Sequence, residues 1–475
     1  MSRASTSKRP HVRIGIDTGG TFTDFVVIRD GKIEMFKQLS TPHRPDDAIL
    51  SGLANIDDPI QEVIHGSTVA TNALLERKGA RTALLTTEGF EDVLVIGRQT
   101  RRELYNIFVS RSEPLVPDGL RFGIRERMLY DGSIQKPLDH RHLQNLIGYL
   151  LPQNVESIAV CLLYSFANDE HESAIAELLK PLGVPVSLSS RILPEYREYE
   201  RTSTTVINAY LAPLMSRYLN RLQERLATVP LRVMQSNGGA VRSGTAADEP
   251  VRTILSGPAG GVVGAFHVGK VCGYPKIIAF DMGGTSTDVS LCEGEIRVTH
   301  ESEVDGMPVG IPMMDIHTVG AGGGSIAEVD PGGALRVGPA SAGADPGPIC
   351  YGKGERLTVT DANLILGRLL PEFFLGGAMK LATERIAPAL EKLKWPRDWK
   401  TPEELAQGVI DVVNNNMEQA VRLISVERGY DPRDFTLFCF GGAGGLHAAH
   451  LARGLGMTRV VVPRFPGALS ALGLL

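Results

Sequence analysis

Two stretches of the chain share one arrangement of apolar and polar positions. Residues 11–28 read as an apolar strand (HVRIGI), a glycine-threonine-aspartate run (DTGGTFTD, residues 17–24) and a second apolar strand (FVVI). Residues 277–292 repeat the arrangement as IIAF, DMGGTSTD and VSLC. Setting Asp17 on Asp281 aligns Gly19 with Gly283, Gly20 with Gly284, Thr21 with Thr285, Thr23 with Thr287 and Asp24 with Asp288, six identities in eight positions. A match of that kind, bounded by apolar strands at both sites, predicts a duplicated domain.

The same patterning predicts further strands at 82–87, 157–163 and 458–462, and helices at 171–180, 203–226 and 403–428, the last with its apolar residues on one stripe. Strands alternating with helices predict an α/β architecture. Proline-rich breaks fall near 112–118, 192–195 and 395–402. An N-terminal domain over 12–200 and a second domain over 201–475 are expected.

Composition narrows the class. A chain of 475 residues with 43% hydrophobic content buries more than one core. The net charge of −5 gives no sign of a nucleic-acid binder. The 52 glycines cluster in short runs, which points to tight loops rather than low complexity. The five cysteines (Cys161, Cys272, Cys292, Cys350, Cys439) form no C-x-x-C pair, and most lie in apolar runs, so buried reduced thiols are expected. The basic N-terminus lacks an apolar core, and no stretch approaches the ~20 apolar residues of a membrane span, so a cytoplasmic protein is expected. The chain stops at the apolar segment FPGALSALGLL, so further polypeptide or a partner is expected beyond Leu475.

The glycine runs carry the candidate chemistry. In DTGGTFTD the paired glycines let backbone N–H groups approach an oxyanion, while threonine hydroxyls add donors. An aspartate at the end of a buried strand suits magnesium held through water. One such run reads equally as a hairpin turn; two at matching positions point to a grip on phosphates from both sides. The expected phosphate set is Thr18, Gly19, Gly20, Thr21, Thr23 and Asp24 with Gly283, Gly284, Thr285, Ser286 and Thr287, and the expected Mg²⁺ ligands are Asp17 and Asp281. The run FGGAGGLHAAH (440–450) follows a strand and opens a helix, which suits a nucleoside, through Gly441, Gly442, Ala443, Gly444 and His447. It lacks the last glycine of G-x-G-x-x-G, and no G-x-x-x-x-G-K-[ST] exists in the chain. His447 and His450, three apart, read either as metal ligands or as ordinary helix residues. The run VGAGGGSI (319–326) places Gly322, Gly323 and Gly324 either against a nucleotide or in a structural bend. Asp315 and His317 precede it as weaker candidates for metal or substrate contact.

The order of two phosphate loops followed by a nucleoside loop resembles the acetate and sugar kinase/actin superfamily. The segments HGSTVATNALLER (65–77), GFEDVLVIGRQ (89–99), SNGG (236–239), SGPAGG (256–261) and GPASAGADPGP (338–348), with the two aspartate loops, resemble the hydantoinase A/5-oxoprolinase family over nearly the whole chain. Members usually continue into a further C-terminal domain. The resemblance implies duplicated actin-like (ribonuclease H-like) ATPase domains with the nucleotide in the cleft between them. It implies ATP and Mg²⁺ as cofactors and a small cyclic amide (a hydantoin or 5-oxoproline) opened after phosphorylation of its carbonyl oxygen, with Asp17 and Asp281 catalytic. It also implies a B-type partner subunit and an oligomer. A ketone carboxylase subunit with the same ATP site is the alternative enzyme, and an actin- or chaperone-like ATP switch the non-enzymatic one. An Fe–S activator ATPase is disfavoured by the lack of paired cysteines. His65, Thr68, Thr71 and Asn72, on a loop-to-helix start, are candidates for the acceptor pocket or for capping. Arg98, with Arg101 and Arg102, forms a basic cluster for an anionic group or a solvated face.

Overall fold

The computed structural model describes residues 11–475 apart from 21, 42–43, 101–104, 106–112, 378 and 393–398. The elements used below are strands β1 (Val12–Thr18), β2 (Phe22–Arg29), β3 (Lys32–Leu39) and β4 (Ile60–Ser67), helix α1 (Val69–Leu75), and strands β5 (Thr82–Thr87), β6 (Arg121–Ile124), β7 (Ser157–Cys161) and β8 (Val186–Leu188). Then come α2 (Glu198–Leu226), α3 (Ser256–Val271), β9 (Lys276–Met282), β10 (Thr287–Glu293), β11 (His317–Val319), α4 (Val359–Ile365) and α5 (Pro402–Ile424). β12 (Thr436–Phe440), α6 (Ala448–Gly454), β13 (Val460–Val461) and α7 (Leu469–Gly473) complete the set. The strands expected at 82–87 and 157–163 are present, whereas the one expected at 458–462 shortens to two residues. The three expected helices form at Glu170–Leu179, α2 and α5.

The chain divides into two compact units. One comprises the chain up to Gly66, Gly257–Arg297 and Met314–Leu475; the other comprises Ser67–Ser256 and Val298–Met313. A position near 200, where the sequence suggests one boundary, falls inside α2. The spatial units interleave along the chain.

The first unit contains the duplication. β1 pairs antiparallel with β2, and β2 with β3; β4 lies on the other side of β1. β9 likewise pairs antiparallel with β10, β10 with β11, and β12 runs parallel on the other side of β9. Each glycine-threonine-aspartate run is thus the turn of a central hairpin. Asp17 faces Asp24 across the first, and Asp281 faces Asp288 across the second. The turns close identically: Gly19 N–H donates to Phe22 O at 3.0 Å, and Gly283 N–H to Ser286 O at 3.0 Å.

Helix α5 covers the second half-sheet. Thr401 caps it by accepting from Glu404 N, and Pro402 occupies its first turn, where no N–H is missed. Leu405, Val409, Val413, Met417 and Val421 recur at helical spacing and are buried with Phe280, Val289 and Leu437 in one core. Each side chain fully removed from water contributes about 1.5–3 kcal/mol before conformational entropy is counted. A charged residue at Val413 would break this face.

Close backbone approach seats the last helix. A Cβ on Gly15 would overlap Ala471 O, and one on Gly260 or Gly264 would come within 2.8 Å of Ser470 O or Leu469 O. The glycines of α3 therefore let α7 lie against its backbone, and the apolar segment ending at Leu475 is mostly packed, with Leu469 and Ala471 buried.

The second unit holds a parallel sheet in the order β8-β7-β5-β6. Its core joins Leu84, Leu85, Ile158, Val160, Ile175 and Val206. Four cysteines are buried, Cys272 is exposed, and all five are free.

Candidate active site

The two hairpins bring four carboxylates into one electrostatic system within the first unit. Burial raises the Asp17 carboxyl from 3.8 to about 7, with the neighbouring Asp24 charge adding and Lys37 subtracting. Asp281 is raised well above the usual range by burial and by the charges of Asp288, Asp17 and Asp24. Burial raises Asp288 to about 6, against a hydrogen bond from Thr318. Burial likewise raises Asp24, opposed by Lys37. Like charges desolvated together disfavour ionisation, and a bound cation reverses that penalty.

Lys37 is the basic side chain of this system, and the sequence patterning did not single it out. Its position on β3, directly opposite Asp24 in register, brings Nζ to the Asp24 carboxylate. Nζ also donates to Gly467 O at 2.6 Å.

Asp17 fits a cation ligand on one observation. Its Oδ1 is buried and has no hydrogen-bond partner. Two glycines make the space beside it: a Cβ on Gly66 would lie 3.0 Å from Oδ1, and one on Gly257, in the SGPAGG segment, 3.2 Å. Among the described residues no group of three or more His, Cys, Asp or Glu is arranged to hold a metal ion. A magnesium here would therefore take most of its ligands from water and phosphate, which is its habit.

The exposed parts of the loops are Gly20, Gly284 and Thr285. Thr21 lies outside the described residues. Thr18 is buried. Thr23 and Thr287, expected to clamp phosphate, are fully buried and face inward. Thr23 Oγ1 meets Ser40 Oγ at 3.0 Å, and Ser40 in turn donates to Gly19 O at 2.7 Å. Thr287 Oγ1 donates to Ala321 O at 2.5 Å. These hydroxyls hold the loops' shape because the alternation of the strand turns them to the core.

The glycine run at 322–324 packs beneath the second hairpin turn. All three residues are buried, and the backbone pressing on them is the turn of the second hairpin. Gly323 N–H donates to Gly283 O at 3.0 Å and Gly324 N–H to Gly284 O at 2.6 Å, while a Cβ on Gly322 would lie 2.6 Å from Thr285 C. The run braces the loop from beneath.

The run at 441–444 approaches the second aspartate. Gly441 adopts φ +83°, and a Cβ there would overlap Asp281 Oδ1 and lie 2.7 Å from Met282 C. Ala443 N–H donates to Met282 O at 2.9 Å, and Gly444 is buried against Cys439. Gly442 is exposed, with open space where a side chain would stand. His447, expected beside the nucleotide, is fully buried. Its Nδ1 lies 2.7 Å from Asn414 Oδ1 on α5, and its Nε2 lies 3.4 Å from Asn363 Nδ2 on α4. That pairing fits a neutral ring protonated at Nδ1. Burial accordingly lowers its pKa to about 4. His447 ties three helices together, whereas His450 is exposed.

The acceptor candidates separate. His65 lies on β4, not on a loop, and its buried ring reaches Ile16 O at 3.2 Å; burial lowers it to about 4. Thr68 occupies the N-cap position of α1 without a side-chain capping hydrogen bond. Thr71 Oγ1 accepts from Leu255 N at 2.9 Å, which steadies the entry to α3. Asn72 is exposed, with Nδ2 3.4 Å from Thr68 Oγ1. Arg98 forms a two-pronged pair with Glu200; Arg101 and Arg102 lie outside the described residues. Asp315 is paired with Arg428.

A duplicated hairpin pair with facing aspartates, on an α/β frame, defines the class to which comparison with known proteins then gives a name. The sequence matches Hydantoinase/oxoprolinase over residues 201–475 and the Hydantoinase/oxoprolinase N-terminal region over residues 13–183. The chain belongs to this family, as its motifs led one to expect. It is 40% identical to caprolactamase subunit alpha of Pseudomonas jessenii, covering 97% of this chain and 69% of that protein. It is 36% identical to 5-oxoprolinase 1 of Arabidopsis thaliana, covering 98% of this chain and 41% of that protein. The nucleotide-free structure of acetone carboxylase, solved for the mechanism of ATP-dependent acetone carboxylation, superposes with a TM-score of 0.84 at 32% identity, covering 98% of this chain and 70% of that one. Among the described residues no helix is long and apolar enough to cross a membrane.

Proposed function

We propose that this protein is the ATP-using component of a cytoplasmic cyclic-amide hydrolase. The observation that carries the reading is the pair of hairpins with Asp17 opposite Asp24 and Asp281 opposite Asp288, joined in one buried acidic system. Such an arrangement is costly unless cationic charge arrives with the ligand. Mg²⁺ with ATP meets that requirement, with Asp17 and Asp281 as the holding residues. The bound ion would neutralise charge on the transferring phosphoryl group.

The exposed backbone of Gly20, Gly284 and Thr285 would hold phosphate oxygens, and Gly442 would leave room beside the nucleoside. The amide carbonyl oxygen attacks the γ-phosphorus, the bond to the β-phosphate oxygen breaks, and ADP leaves. The amide N–H proton lost in that step is assigned to one of the two aspartates, Asp17 or Asp281. One water adds to the activated carbon and the C–N bond opens, leaving an acyl phosphate; a second water then releases phosphate. Net, ring amide, ATP and two waters give amino acid, ADP and phosphate. A B-type subunit would supply the hydrolytic half, consistent with the subunit status of the caprolactamase relative.

A second reading is ATP-dependent carboxylation of a ketone, favoured by the superposition on acetone carboxylase. Turnover of ATP is measured with lactams or hydantoins, and separately with ketone plus bicarbonate. Stimulation by the rings, lost in Asp17→Asn and Asp281→Asn folded by circular dichroism, supports the first reading. Stimulation only by ketone and bicarbonate transfers the assignment to the second.

A further inference from the structure

The duplicated hairpins match until each meets its third strand. Asp24 on β2 faces Lys37 on β3, whereas Asp288 on β10 faces Thr318 on β11. The short Thr318 side chain donates its hydroxyl to Asp288 across the pair. Lys37 also donates to its aspartate, but an ammonium on a four-carbon stem has donors and reach to spare. It uses them on Gly467 O, at 2.6 Å.

Gly467 lies in the tight turn Pro466–Ala468, directly before α7. Residues 466–469 are shared between the two hairpins, all within the first unit. Pro466 O accepts from Gly441 N–H at 3.0 Å, on the Asp281 side. Gly467 O accepts from Lys37, on the Asp17 side. Ala468 is buried with Val26 of β2. Leu469 is buried with Phe438 and Phe440 of β12, the strand that ends one residue before Gly441. The segment is thus a wedge, with a carbonyl and an apolar side chain turned to each half.

Apolar packing is non-directional, so it seats the wedge without fixing its rotation. The two hydrogen bonds fix it, because each donor must point at its carbonyl. Gly441 needs that precision: a Cβ there would overlap Asp281 Oδ1, so its backbone runs against the carboxylate. We propose that Lys37 is a positioning residue for the second half of the site. By holding the 466–469 segment through Gly467 O, it keeps Gly441, and with it Asp281, in place for the nucleotide. The role rests on the ATP reading above.

The test uses the full chain and two variants, Lys37→Met and Lys37→Arg, the second keeping the charge and the donors. Amide hydrogen exchange is followed by mass spectrometry without nucleotide, and Mg²⁺-ADP affinity by calorimetry. Lys37→Met is expected to speed exchange in the fragment around Gly441 by about tenfold, the scale of one lost hydrogen bond from a charged donor, and to weaken Mg²⁺-ADP binding by a similar factor. Fragments from α5 should exchange as in wild type, and Lys37→Arg should restore both quantities. Weaker ADP binding in Lys37→Met with unchanged exchange at Gly441 would mean that the charge acts on phosphate directly, and overturns the proposal. So does faster exchange spread equally over α5, or a Lys37→Arg variant no better than Lys37→Met. A wild type that binds no ADP removes the ATP reading and the positioning role together. A wild type that binds ADP, with exchange at Gly441 insensitive to Lys37, removes the positioning role alone.

Discussion

Gly441 lies so close to Asp281 that no side-chain carbon fits between its Cα and the carboxylate. The residue also has φ +83°, a conformation L side chains rarely adopt. Its neighbour Gly442 faces open space. Gly441→Ala is therefore expected to lower ATP turnover by about 5- to 30-fold, the cost of roughly 1–2 kcal/mol of misplacement at a reacting centre. Gly442→Ala should change it little. Turnover of the two purified variants checks this, and equal activity in both would remove the link between Gly441 and Asp281.

Asp17 makes stability depend on pH in a definite direction. Its carboxyl titrates near 7 when folded and near 3.8 when unfolded, because burial and then Asp24 disfavour the charge. Between these values the folded chain holds more protons, so its stability falls as pH rises through the window, and the penalty is complete above 7. Asp17→Asn lacks the titration. In metal-free buffer at pH 8 it should melt above wild type, by about 2–4 °C for each kcal/mol recovered. At pH 5 the difference should shrink by more than half. A melting difference that is flat with pH would contradict the assignment.

Lys37 opposes that effect by lowering both Asp17 and Asp281. Lys37→Met should therefore move the acidic limb of the kcat/KM profile to higher pH, by about 0.5–1 unit for one nearby charge. A profile that keeps its position while losing height would assign Lys37 to phosphate binding instead.

The hairpins were legible in the sequence because everything that makes them is local. Eight residues between two apolar strands determine the turn, and Asp17 and Asp24 face each other within it. Lys37 was not legible, since its place depends on the register of a third strand that pairs Asp24 with it. Burial was harder still. Gly322 and His447 stand in glycine-rich runs of the kind that approach nucleotides, yet one supports the second loop and the other bonds Asn414. Only the positions of α4 and α5 distinguish those uses, and Asn414 lies 33 residues from His447.

The seating of α7 against Gly15 has a consequence for how the protein emerges from the ribosome. Ser67–Ser256 is one continuous stretch and makes up most of its unit. It can collapse while synthesis proceeds. The first hairpin waits for residues 469–473 before Ala471 covers Gly15. Until those residues are made, β1 and β2 lack this cover, so chaperone contacts during synthesis should include them.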